Sequence, residues 1–117
     1  MGNFDFLRRE KDVRTYSAGE SIFKVGDAGD AMYAVVEGQV EIRSNGRVLE
    51  TVGAGDIFGE MGLIDQTPRS ADAVAGTDCT VAAITQRRFT FLIQQTPFFA
   101  IEVMRLLSER VRRRTPQ

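Results

Sequence analysis

Histidine is absent from this 117-residue chain, and cysteine occurs once, as Cys79. Without histidine the chain lacks the commonest zinc ligand, the commonest general base and half of every Ser-His or Cys-His nucleophile pair. A lone cysteine excludes an intrachain disulfide. No apolar run approaches the ~20 residues that a membrane-crossing helix needs. Met1-Gly2-Asn3 leads into charged residues instead of an apolar signal core, so the cytoplasm is the expected compartment. Repeats, low-complexity segments and linkers are missing too, which leaves one expected domain over residues 1–117.

What is present has the balance of a soluble globular protein, with 43% hydrophobic and 26% charged residues. A chain of this length can bury a core without cross-links. The net charge of −1 conceals an asymmetry. Residues 1–104 carry 10 basic against 15 acidic side chains, whereas residues 105–117 carry five arginines against Glu109. That excludes a globally basic nucleic-acid binder, so direct DNA binding is not expected. The arginine-rich end reads as a solvated helix terminus whose cations complement the helix dipole, or as a contact for an acidic partner.

Short strands are expected at Val13–Tyr16, Glu20–Val25, Ala31–Glu37, Gln39–Ser44, Arg47–Val52, Ser70–Gly76 and Asp78–Ile84. Gln39-Val40-Glu41-Ile42-Arg43 alternates polar with apolar residues, as a half-buried strand does. Asn45-Gly46 between two such runs predicts a type I′ hairpin, whose central residues both need positive φ. Even strands with frequent turns predict a mostly β fold over about residues 13–84, a β-barrel or jelly roll. Beyond Ile84 the period changes. Thr85 can cap a helix from Gln86 to Gln95, and Thr96-Pro97 opens a second one. In that second helix Ala100, Val103, Met104, Leu107 and Val111 predict one apolar stripe, ending near Pro116. Phe89, Phe91, Phe98 and Phe99 are expected to pack the helices onto the barrel.

One stretch breaks the strand pattern: Phe58-Gly59-Glu60-Met61-Gly62-Leu63-Ile64-Asp65-Gln66-Thr67-Pro68-Arg69-Ser70-Ala71. Glycine lets backbone approach a ligand closely. Glu60 to Ile64 suffices for about one helical turn, whose first amides have no partner within the helix. Arg69, after a proline-braced loop, suits a bidentate phosphate clamp, and Ser70 adds a hydroxyl beside it. Together they predict a compact site for one phosphate.

Phe58-Gly59-Glu60-Met61-Gly62-Leu63 with Pro68-Arg69-Ser70-Ala71 resembles the phosphate-binding cassette of the cyclic nucleotide-binding domain family. The resemblance extends from Tyr16-Ser17-Ala18-Gly19-Glu20 through Gly26-Asp27-Ala28-Gly29-Asp30-Ala31-Met32-Tyr33 to the last helix. It implies a short cassette helix and a C-terminal lid helix. Arg69 would then pair with the exocyclic phosphate oxygens, Ser70 would donate its hydroxyl, and the amides around Met61, Gly62 and Ala71 would add hydrogen bonds. Glu60 would accept from the ribose 2′-hydroxyl and partner Arg69 while the site is empty, and Gly59 would let the sugar lie against the chain. Val52 and Phe58 would be apolar walls, with Arg110 or Leu107 closing over the purine. Asp72 departs from the family's usual Thr or Ser, and points either outward along its strand or inward to compete for Arg69.

The expected function is a non-catalytic regulatory sensor of a cyclic nucleotide, cAMP favoured over cGMP, with no other cofactor and no metal. It would signal through the last helix to an effector protein or effector domain. Homodimerisation through that helix is an open alternative use of it. A histidine-based cupin enzyme is excluded by composition. The rival is a nucleotide-blind oligomerisation or protein-interaction domain with a vestigial cassette.

Overall fold

The computed structural model describes residues 4–114. Two compact units divide at Gln86/Arg87. In the first, a 3₁₀ turn over Asp5–Arg9 precedes β1 (Val13–Tyr16), β2 (Ser21–Phe23), β3 (Ala31–Glu37), β4 (Gln39–Ser44), β5 (Arg47–Gly53) and β6 (Ile57–Phe58). The helix α1 (Glu60–Asp65), β7 (Asp72–Ala75) and β8 (Cys79–Thr85) follow. The strands form two antiparallel four-stranded sheets, ordered β1-β8-β3-β6 and β2-β7-β4-β5. The chain crosses between them repeatedly, in the manner of a jelly roll. No ladder joins the two sheets among the described residues, so the expected barrel is an open β-sandwich.

Alternation places the core. Ala31, Tyr33 and Val35 of β3 and Cys79, Val81 and Ala83 of β8 face Phe23, Val40, Val52, Ala73 and Ala75 of the other sheet. The intervening Met32, Ala34, Ala82 and Ile84 are buried as well. The 3₁₀ turn, carrying buried Leu7 and preceded by buried Phe4, packs on the same two strands. Two covered faces explain why β3 reads as a nearly continuous apolar run. The β4–β5 hairpin turns on Asn45 at φ 53° and Gly46 at φ 78°, the conformation expected from the sequence.

The expected strands Glu20–Val25 and Ser70–Gly76 are trimmed to β2 and β7, because a bulge between Ser21 and Phe23 shortens their ladder. The flanking residues are released into loops, and those loops build the site.

The second unit holds α2 (Gln86–Gln95) from its second residue on and α3 (Pro97–Arg114). Phe99 donates its N–H to the Thr96 carbonyl at 2.9 Å, so Pro97 sits in the first turn of α3, where a missing N–H is harmless. Phe89 and Phe99 meet edge-to-face at 5.5 Å. The apolar stripe differs from expectation: Met104 and Val111 are both 62% exposed. The buried residues of α3 are Phe99, Glu102 and Val103. Phe91 and Phe98 are also exposed, lying under Arg88 and Arg105 at 5.0 and 5.9 Å. Pro116 lies outside the described residues.

Candidate functional site

The approach to α1 is set by Gly59, whose φ of 78° turns the chain from β6 directly into the helix. A side chain at that angle would be strained. At the far end Gln66 takes a left-handed φ of 56° and donates its N–H to the Gly62 carbonyl, closing α1 after six residues. Thr67 donates to the same carbonyl at 3.2 Å. Pro68 then delivers Arg69.

The main chain of Arg69 is tied on both sides to the loop between β2 and β3. Its N–H donates to the Asp27 carbonyl at 2.8 Å, and its carbonyl accepts from Gly26 N–H at 2.9 Å. That loop is braced in turn. Asp27 Oδ2 accepts from Lys24 N–H at 2.9 Å, and Asp72 Oδ1 accepts from Val25 N–H at 2.8 Å. Asp72 is therefore a loop anchor and does not compete for Arg69.

The Arg69 side chain is only 5% exposed. Nη1 donates to the Gly59 carbonyl at 2.6 Å and Nη2 to the Ala31 carbonyl. The guanidinium carbon lies 4.0 Å from the centroid of Phe23 and 6.0 Å from that of Tyr33. Nε–H is buried with no hydrogen-bond partner among the described residues. Burial pushes the guanidinium pKa down; Tyr33, Asp30 and Glu60 act in the opposite sense. Glu60, 3% exposed at the start of α1, thus bears on Arg69 through charge. The arginine's hydrogen bonds go to main-chain carbonyls and not to Glu60, the partner anticipated from the sequence.

Glycines make room for this arrangement. A Cβ on Gly62 would lie 2.9 Å from Arg69 Nη1, and one on Gly59 3.1 Å from it. A Cβ on Gly29 would come within 2.5 Å of the Thr67 carbonyl oxygen and 2.8 Å of Gly62 Cα. The β2–β3 loop and α1 are therefore in backbone contact.

The structure brings Gly59, Glu60, Gly62 and Arg69 together. Met61 is exposed on α1, while Ser70 is exposed and Ala71 half-buried in the bend leading to β7. Val52 and Phe58 belong to the sandwich core. Leu107 and Arg110 are half-buried on α3, in the second unit. Sequence reading missed Phe23 and the Ala31 carbonyl, for which composition and spacing carry no signal. The Gly26-to-Asp30 run signalled a loop but not its grip on Arg69. A depression of ≈380 Å³ lined by Tyr16, Ser17, Glu20, Glu37 and Asp78, among others, includes none of these residues. Two of its acids already serve the backbone, Glu20 accepting from Ser17 N–H and Asp78 from Ala18 N–H.

Chemically the cassette offers a buried guanidinium with Nε–H unengaged among the described residues and Glu60 acting on it through charge, a combination that can take one small oxyanion. No group of three or more His, Cys, Asp or Glu among the described residues is placed to hold a metal ion. No helix among them is long and apolar enough to cross a membrane.

The family model described as Cyclic nucleotide-binding domain matches residues 13–96. The Cyclic AMP receptor protein of Thermus thermophilus is 38% identical over 104 residues, covering 85% of this chain and 48% of that protein. The cAMP-dependent protein kinase regulatory subunit of Eremothecium gossypii is 33% identical over 106 residues, covering 82% of this chain and 23% of that one. The crystal structure of the Thermus thermophilus Catabolite Activator Protein superposes with a TM-score of 0.82 at 36% identity, over 93% of this chain and 54% of that one. The chain thus spans about half or less of the length of these relatives.

Proposed function

The chain belongs to the cyclic nucleotide-binding domain family, and on that premise we propose that it is a single regulatory module that captures a cyclic mononucleotide through Arg69 and the start of α1. The observation that carries the reading is the Arg69 guanidinium. It is almost fully buried, yet rests on neutral carbonyls with Nε–H unengaged. A buried cation of this kind is costly unless an anion completes it. A cyclic phosphodiester supplies one negative charge and two exocyclic oxygens for the planar fork.

In this proposal Ser70 and the amides of Met61, Gly62 and Ala71 complete the phosphate shell. Glu60 accepts from the ribose 2′-hydroxyl, and Gly59 admits the sugar. Val52 and Phe58 back the pocket from the core, and Arg110 or Leu107 of α3 closes over the base. The module performs no catalysis. It works in the cytoplasm, changing what α3 presents to an effector protein, an effector domain or a second copy, and does not itself touch DNA. The reading favours cAMP over cGMP, with relatives named for cAMP behind it and solved neighbours named for cyclic GMP keeping both ligands in the test.

Calorimetric titration with cAMP and cGMP tests the reading. Arg69→Ala is expected to lose about 2–5 kcal/mol of affinity, the usual penalty for truncating one member of a buried charge pair. Titrations flat at millimolar nucleotide would return the nucleotide-blind interaction domain. Hydrogen exchange along α3 tests the relay: equal protection with and without ligand would remove α3 from it.

A further inference from the structure

We propose that Phe23, in β2, is a positioning residue for ligand capture: its ring face fixes the plane of the Arg69 guanidinium and thereby sets affinity for a cyclic phosphodiester. The inference rests on the function proposed above and adds a residue that the cassette motif does not contain.

The geometry has three parts. The guanidinium carbon lies 4.0 Å from the ring centroid, well inside the range of cation–π attraction. The ring is itself immobilised, packed at 6.1 Å from both Tyr33 and Phe58 in the core. The positions where Gly59 and Gly62 lack a Cβ lie 3.1 and 2.9 Å from Nη1, so the group occupies a slot bounded by the aromatic ring and bare backbone. A Cβ at Gly59 would also come within 3.3 Å of the Phe23 ring, which places wall and floor in direct register.

Chemistry says why an aromatic face suits this position. A buried guanidinium needs stabilisation before ligand arrives, yet a carboxylate hydrogen-bonded to it would occupy donors and repel the incoming phosphate. A ring face attracts the cation from above its plane. It consumes no N–H and carries no net charge. Of the five guanidinium N–H groups, the Gly59 and Ala31 carbonyls take two. Nε–H has no hydrogen-bond partner among the described residues and stays in the plane that the ring already holds. Holding that plane removes rotamer entropy that ligand binding would otherwise have to overcome.

The test grades the ring's electron density without changing its shape. Phe23 is replaced by 4-fluoro-, 3,5-difluoro- and 3,4,5-trifluorophenylalanine, and Kd for cAMP and cGMP is measured by calorimetry. The expected result is a monotonic weakening, reaching about threefold with three fluorines, and about fivefold for Phe23→Leu. Arg69 guanidinium rotation about Cζ–Nε, followed by NMR in ligand-free protein, should accelerate along the same series. Parent protein that binds nucleotide with a Kd flat across the series overturns the positioning role alone. Guanidinium rotation insensitive to fluorination overturns it as well, whatever the affinities. Parent protein that binds neither nucleotide overturns the proposed function, and this inference falls with it.

Discussion

Alanine at position 29 tests whether contact between the β2–β3 loop and α1 aligns the cassette. Gly29 has no left-handed backbone angle, so space alone decides the outcome. Its Cβ would lie 2.5 Å from the Thr67 carbonyl oxygen and 2.8 Å from Gly62 Cα, where ordinary contact begins at 3.4 Å. Loop and helix must therefore separate by several tenths of an ångström to ~1 Å, and neither obstacle is a side chain that can swing away. Overpacking of this kind costs about 1–3 kcal/mol, or roughly 4–15 °C in Tm for a domain of this size. The displaced backbone carries the Gly62 side of the Arg69 slot, so nucleotide affinity should fall about tenfold or more. Gly53→Ala is the control, because nothing lies within 4 Å of its Cβ position. It should melt and bind like the parent. Thermal denaturation and calorimetry on the three proteins give the answer. Gly29→Ala that melts within about a degree of Gly53→Ala and binds equally well would refute the reasoning.

Asp72→Ala removes the acceptor of Val25 N–H and should lower stability by about 0.5–1.5 kcal/mol in urea denaturation. Asp72→Asn keeps an acceptor and should recover most of that loss; equal losses would show that the anchor does not act through this bond. Alkali should destabilise the fold through two buried acids. Burial, with Asp78 and Glu20 assisting, raises the Cys79 thiol above its ordinary 9.0, and burial raises the Tyr33 phenol above 10.0. A raised folded-state pKa gives stability that is complete below the unfolded value and disappears as pH rises through the folded one. Denaturation midpoints should therefore hold up to pH 9 and then decline, less steeply in Cys79→Ala; an identical decline in that variant would exclude the thiol as a cause.

Much of the architecture was legible because local chemistry repeats along the chain. β1, β3, β4 and α2 begin and end where strand alternation and the change of period placed them. The hairpin at Asn45-Gly46 followed from the φ angles those residues tolerate. Elements too short to display a period were invisible: β6 has two residues, and the 3₁₀ turn reads as part of a charged N-terminus. The barrel became two open sheets because alternation reports which face is buried, not whether the outer strands pair. In α3 the stripe through Met104 and Val111 was misjudged because Phe98, Ile101, Met104 and Val111 form a second apolar set at helical spacing. Periodicity alone does not say which of two such sets is covered. Within the cassette the motif named the residues that would meet a phosphate. It did not reveal that Arg69 stacks on Phe23 or rests on Ala31 and Gly59, since those partners lie 46, 38 and 10 residues away in the chain.

That spacing changes what counts as the site. Arg69 reaches its position because Gly26 and Asp27 hold its main chain, and Asp27 and Asp72 hold the loop that does so. The same loop touches α1 through Gly29, and β2, immediately before it, supplies the ring under the guanidinium. The cassette is thus only half of the device. Its other half is the segment from Phe23 to Ala31, which contributes an aromatic face, a carbonyl and a backbone brace, but no charged group that hydrogen-bonds Arg69. On the function proposed above, the Arg69 hydrogen bonds rest on neutral carbonyls before ligand arrives, while Asp30 and Glu60 act on it through charge alone. Any change that puts a carboxylate within hydrogen-bonding reach of Arg69 should make the ligand-free protein compete with its own ligand, read in calorimetry as a raised Kd for the nucleotide.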